Sequence, residues 1–203
     1  MPARIARLPK DEAGRPVPFF VLWTDGRPDF RIMDSEKFAL CWHESLCWVC
    51  GERLGVHRAF VIGPMCAVNR ISSEPPSHVD CAVFSACACP FLSTPKMKRR
   101  ERDMPEGGVQ PLGGVMIKRN PGVALVWVTR TYTLESDGKG GALFFIGSPE
   151  RTLWYCEGRP ATRDEILDSI NSGYPALQAE ADSAEGLREL ERSLEIALRL
   201  VPA

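Results

Sequence analysis

A chain of 203 residues that is 44% hydrophobic can bury a core of its own, as one domain or one domain with an appendage, and its net charge of −1 marks no strongly basic or acidic whole. No window approaches the roughly 18 apolar residues of a membrane span, and the opening "MPARIARLPKDEAGRP" sets charge and proline where a signal peptide needs an apolar run, so a cytoplasmic protein with no membrane partner is expected. In a reducing compartment the eight cysteines point to metal ligands or small buried residues rather than a disulfide framework.

In chain order, "PFFVLW", "TDGRPD" and "FRIM" predict strand, turn and strand. In "DSEKFALCWHESL", Asp34 or Ser35 can cap a helix whose buried face carries Phe38, Cys41, Trp42 and Leu46. "RAFVIGPMCAVN" predicts a short hairpin turning at Gly63-Pro64. After "ISSEPP", Ser77 as N-cap with Asp80 three residues later predicts a helix that ends near Cys89-Pro90. Residues 95–114 are rich in proline, glycine and charge and are expected to form a mobile basic loop. "VALVWVTRTYT" and "ALFFIG" predict a β-hairpin joined across "LESDGKGG", with "TLWYC" as a third strand. Two helices finish the chain. "ATRDEILDSINSG" has a capping box from Thr162 to Glu165 and should stop at Gly173, and the second helix carries a stripe of Leu187, Leu190, Leu194, Leu198 and Val201.

The chemistry concentrates in the cysteines. "LCWVCGERLG" places Cys47 and Cys50 in a C-x2-C turn followed by glycine, which supplies half of a tetrahedral site. With Ser77 as cap, His78 and Cys81 fall at the first and fourth helical positions, on one face, where the helix terminus favours a thiolate. Cys47, Cys50, His78 and Cys81 are therefore the predicted ligands of one zinc ion, with Cys89 in reserve. An iron–sulfur cluster on Cys47, Cys50, Cys81 and Cys89 is the alternative. Cys41, Cys66, Cys87 and Cys156 stand in apolar company and are expected to pack in the core, and His43 is expected to face water.

Charge is unevenly distributed: residues 51–130 carry 11 basic and 6 acidic side chains, net +5, and residues 150–203 carry 6 and 11, net −5. Lys96, Lys98, Arg99, Arg100 and Arg102 form a cluster able to neutralise phosphates, a candidate nucleic-acid contact. His57, Asn69 and His78 follow the order of an HNH metal-dependent nuclease, although Val56 and Arg58 supply no acid beside His57. A third role is a homo-oligomeric or partner-binding module built on the amphipathic C-terminal helix.

"PVPFFVLWTDGRPDFR", "LCWVCGERLG", "FVIGPMCAVNR", "EPPSHVDCA", "CPFL" and "GRPATRDEI" together resemble a zinc-knuckle, treble-clef-like group of bacterial and phage proteins of unknown activity, over roughly residues 8 to 175. The resemblance implies a phage- or prophage-related accessory protein rather than a central metabolic enzyme, and it transfers no functional residue.

The chain is thus predicted to be α+β. Residues 1–158 should form a small antiparallel sheet around a zinc-knuckle centre (about 41–92) with the basic loop (about 95–114), and residues 159–203 a helical extension. The expected function is a zinc-stabilised accessory protein contacting nucleic acid or a host protein.

Overall fold

The first element pair is dictated by its turn. A computed structural model of the protein describes residues 1–94, 120–136 and 142–203. After a four-residue helix α1 (Ala3–Ala6), strands β1 (Val21–Thr24) and β2 (Arg27–Met33) pair antiparallel with Thr24 opposite Arg27. Only Asp25 and Gly26 lie between them, both at positive φ (50° and 76°), the twist that a two-residue hairpin requires. Helix α2 (Ser35–His43) follows, capped by Asp34, whose carboxylate accepts the N–H groups of Glu36 and Lys37. Its Cys41 is buried, and His43 faces water as expected.

Strand β3 (Arg58–Ile62) does not turn back at Gly63-Pro64. Proline instead starts a helix there, α3 (Pro64–Asn69), because its fixed φ and missing N–H suit the first helical position. A short strand β4 (Ile71–Ser72) leads on to α4 (Val79–Ala88) and α5 (Pro90–Ser93). The cap of α4 is His78 and not Ser77, which is buried and paired in an antiparallel bridge with Ala59. Cys89 ends α4 ahead of Pro90, as its sequence requires.

The predicted strand "VALVWVTRTYT" is two strands, β5 (Val123–Thr129) and β6 (Tyr132–Ser136). The chain bends between them where the Thr131 N–H donates to the Thr129 hydroxyl (3.3 Å), which in turn donates to the Ser148 carbonyl (2.9 Å). The hairpin partner of β7 (Ala142–Ile146) is therefore β6. Strand β5 is instead central in a second sheet with β8 (Arg151–Cys156) and β9 (Arg159–Pro160), in the order β3-β5-β8-β9. The other larger sheet runs β4-β7-β6, and every pairing is antiparallel.

Burial of β5 on both faces accounts for its unbroken apolar run. On one face Ala124, Val126 and Val128 meet Ala82 and Ala86 of α4. On the other, Leu125 and Trp127 join Phe60, Phe144, Ile146 and Trp154 in the main core. Helix α6 (Arg163–Gln178) adds Ile166 and Ile170 to that core, and Val201 beyond α7 (Ala184–Leu198) joins it too. The capping box of Thr162 and Glu165 is formed, but α6 passes through Gly173, where the missing side chain admits Met65, and continues past Pro175. The stripe of α7 is occupied within the chain: Leu190 and Ala197 pack on Val68 of α3, and Leu194 and Leu198 on the main core. The fold is α+β, built from small antiparallel sheets and helices, with the cysteine knuckle at one end of α4.

Candidate metal centre

The knuckle is made by backbone geometry. The Gly51 N–H donates to the Cys47 carbonyl and the Cys47 N–H to the Glu52 carbonyl, both at 2.8 Å, while Leu46 bridges Arg53. Closing so tight a turn requires positive φ at Gly51 (73°), and a Cβ there would stand 2.7 Å from the Phe19 ring. Glycine is thus required twice, by conformation and by space.

Two contacts bring the second half of the site to the first. The Trp48 N–H donates to the Pro76 carbonyl (3.1 Å), and Ala59 and Ser77 exchange both backbone hydrogen bonds at 2.8 Å. These seat the start of α4 on the knuckle. Knuckle, strand and helix follow in that order, but α3 and β4 lie between β3 and α4 and form no hairpin, since β3 pairs with β5 and β4 with β7.

Cys47, Cys50, His78 and Cys81 converge there, each offering one donor atom, and all four atoms lie within 4.8 Å of one another. They could hold a metal ion. Cys47 and Cys81 are fully buried, and Cys50 is partly open. The Cys50 sulfur stands 3.4 Å from His78 Nδ1, and His78 Nε2 stands 3.0 Å from the Arg53 carbonyl. A carbonyl only accepts, so Nε2 carries the proton, and in the neutral ring the Nδ1 lone pair faces the cysteines. This is the tautomer that a metal at Nδ1 needs.

The sulfurs are prepared in the same way. The N–H groups of Cys50 (3.5 Å) and His78 (3.3 Å) point at the Cys47 sulfur. Hydrogen bonds first from the Cys50 thiol and then from the Cys81 thiol hold Cys47 below the usual thiol range, and Cys50, as donor to it, is pushed up. Cys81 is pushed up by the same pairing with Cys47 and Cys50. Three thiols in contact cannot all ionise without a cation among them.

The surroundings contain residues that sequence reasoning passed over. Arg4 of α1 spans Glu52 of the knuckle (3.3 Å) and Asp80 of α4 (3.0 Å), Arg7 also pairs with Glu52, and Ile5 is buried against Cys47, Val49 and Cys81. The alternation of Arg4, Ile5, Arg7 and Leu8 was the available signal for a small amphipathic turn, but nothing local names its target.

Other predicted residues lie elsewhere. Cys89 is at the far end of α4, eight residues and about 12 Å of helix from Cys81, so it is neither reserve ligand nor iron–sulfur ligand in this arrangement. His57 bonds through Nδ1 to Glu150 (2.7 Å), an acidic partner 93 residues away that sequence inspection could not supply. Asn69 ends α3 and lines a groove beside Arg70. His78 turns Nδ1 toward Cys50 and Nε2 toward the Arg53 carbonyl, whereas His57 bonds Glu150, so the two histidines face different partners. Cys41 and Cys156 are buried as expected, and burial pushes the Cys41 thiol up to about 12; Cys66 is partly covered but packs against the main core as expected, and Cys87 is only partly covered. Lys96, Lys98, Arg99, Arg100 and Arg102 lie outside the described residues.

Among the described residues no helix is long and apolar enough to cross a membrane. Comparison with protein-family models, with curated proteins and with solved structures finds no match.

Proposed function

We propose that the protein is a zinc-stabilised accessory binding protein whose partner is a nucleic acid or a host protein. The carrying observation is the closed donor set: three sulfurs and one imidazole nitrogen within 4.8 Å of one another, on a backbone that fixes the histidine tautomer. Around a tetrahedral zinc with bonds of about 2.0–2.3 Å, neighbouring donor atoms sit about 3.5–3.8 Å apart, close to the 3.4 Å between Cys50 and His78. Four protein ligands leave no open position for a substrate or activated water, which favours a structural role over a catalytic one. The motif resemblance to bacterial and phage proteins supports a phage- or prophage-related setting.

Metal analysis of protein purified without added metal tests this. One zinc per chain is expected, lost in Cys50→Ala and kept in Cys89→Ala. Bound iron with visible absorbance, or a folded wild-type protein free of metal, would overturn the zinc reading.

A further inference from the structure

We propose that a groove beside the edge strand β6 binds single-stranded nucleic acid through one outward aromatic ring and a row of arginines. This takes up the nucleic-acid arm of the proposed function but rests on a surface separate from the metal ligands.

The register of the three-stranded sheet places Ile71, Phe145 and Thr133 side by side on one face. Phe144 and Ile146 point the other way into the core, so Phe145 faces outward and is 42% exposed. Phe145 and Arg70 line a groove of about 350 Å³ together with Asn69. It adjoins a second groove of about 380 Å³ that holds Trp42, Arg58 and Arg130, the two sharing Thr131 and Tyr132.

The arginines are held in place from below. Arg70 adopts the left-handed conformation (φ 56°), rare for a residue with a side chain, and its Nε donates to the Ile146 carbonyl at 3.2 Å. Arg58 donates to the carbonyls of Val56 (3.2 Å) and Arg130 (2.9 Å) and lies over the Tyr132 ring. Its Nε is buried with no partner among the described residues. Arg130 pairs with Glu150 at 2.5 Å, and Glu150 also accepts from His57 Nδ1 at 2.7 Å, so this end is partly neutralised. Glu135, bonded to Thr133, is the acid on the sheet face itself. With Arg130 paired to Glu150 and Glu135 on the face, Arg70 in the first groove and Arg58 in the second leave a small net positive charge, and Phe145 offers a π-face beside Arg70.

An unpaired base can stack on such a ring while its phosphate meets Arg70, whereas a duplex keeps its bases stacked on one another and offers no free face. The ligand class is therefore a single strand, and its sugar is distinguished by experiment.

Fluorescence anisotropy with labelled oligo(dT) and oligo(rU) of about 12 nucleotides, and with a duplex of equal length, tests the proposal at several salt concentrations. Binding of one or both single strands in preference to duplex is expected. Phe145→Ala and Arg70→Glu should each weaken it about tenfold, and Arg70→Glu should also lower the log–log salt slope by about 1. Phe145→Ala alters an exposed site, so it keeps the test valid if Arg70→Glu does not fold. No binding of either single strand at low salt would overturn the proposal. So would equal binding of duplex, or affinity unchanged in both variants and lost on charge reversal at Arg99 and Arg100. Zinc content is measured on the same samples, so failure of the metal assignment is read separately.

Discussion

His78 opens α4 and commits both ring nitrogens, and each role follows from its place as the cap of that helix. At that position φ and ψ are extended, the side chain is free of the helix, and the ring reaches Cys50 on one side and Arg53 on the other. Charge is used differently at Glu165. Arg159 first, and then the Thr162 N–H, hold its carboxyl at about 2 against an ordinary 4.5. A carboxylate whose folded value is depressed stabilises the fold above its unfolded value and loses that contribution as pH falls toward the folded one. The gap in melting temperature between wild type and Arg159→Ala is therefore expected to be open at pH 6, to narrow below about 4.5 and to close near 2. A gap independent of pH would show that Arg159 acts by packing. The pair is exposed, so the whole effect is small.

At the level of elements, α1 shows which force holds a short segment. Four residues cannot persist as an isolated helix, so tertiary contact must keep α1 in place. Arg4 and Arg7 supply partly exposed ion pairs, worth at most about 1 kcal/mol each. Ile5, 1% exposed, risks about 2–5 kcal/mol on truncation to alanine. Ile5→Ala is thus expected to release the N-terminal segment and raise hydrogen exchange in residues 47–54 and the first turn of α4, while Arg4→Ala changes exchange little. The reverse order would place the hold in the ion pairs. Much of this architecture was legible beforehand. The Asp34 and Thr162 caps, the C-x2-C turn and the Cys89-Pro90 stop are local signals that carried through, whereas the Ser77 cap did not, because Ser77 is taken by its bridge to Ala59 and His78 caps α4. The failures were decisions that neighbours make. Gly63-Pro64 reads equally as a turn or a helix start, Gly173 reads as a stop until Met65 is seen to occupy its space, and no local pattern in "VTRTYT" records the change of sheet at Arg130. The four proposed ligands were legible because each pair is fixed by its own short motif. Arg4, Ile5 and Glu150 were not, because their partners lie far along the chain.

Across the whole molecule the proposed metal centre and the main core belong to separate clusters, and that separation decides what loss of a bound metal should do. Among the described residues the main core holds 13 buried ones from β3, α3, β5, β7, β8, α6 and the C-terminal end, none of them a proposed cysteine ligand. The cluster at the knuckle has four, Ile5, Cys47, Val49 and Cys81. A zinc-finger peptide without metal unfolds because it has no other core, and its metal contributes on the order of 10 kcal/mol. Here two faces of β5 remain covered when the knuckle opens, so chelation should split the response. Residues 45–54, α1 and the first turn of α4 are expected to lose protection from hydrogen exchange, whereas β5, β8 and α6 keep theirs and near-ultraviolet circular dichroism from Trp127 and Trp154 persists. Because α4 belongs both to the knuckle, through Cys81, and to the sheet, through Ala82 and Ala86, its N-terminal turn is where the boundary should fall. Loss of protection throughout β5 and β8 on chelation would mean that the ion holds the whole fold through α4, and that the two clusters unfold as one.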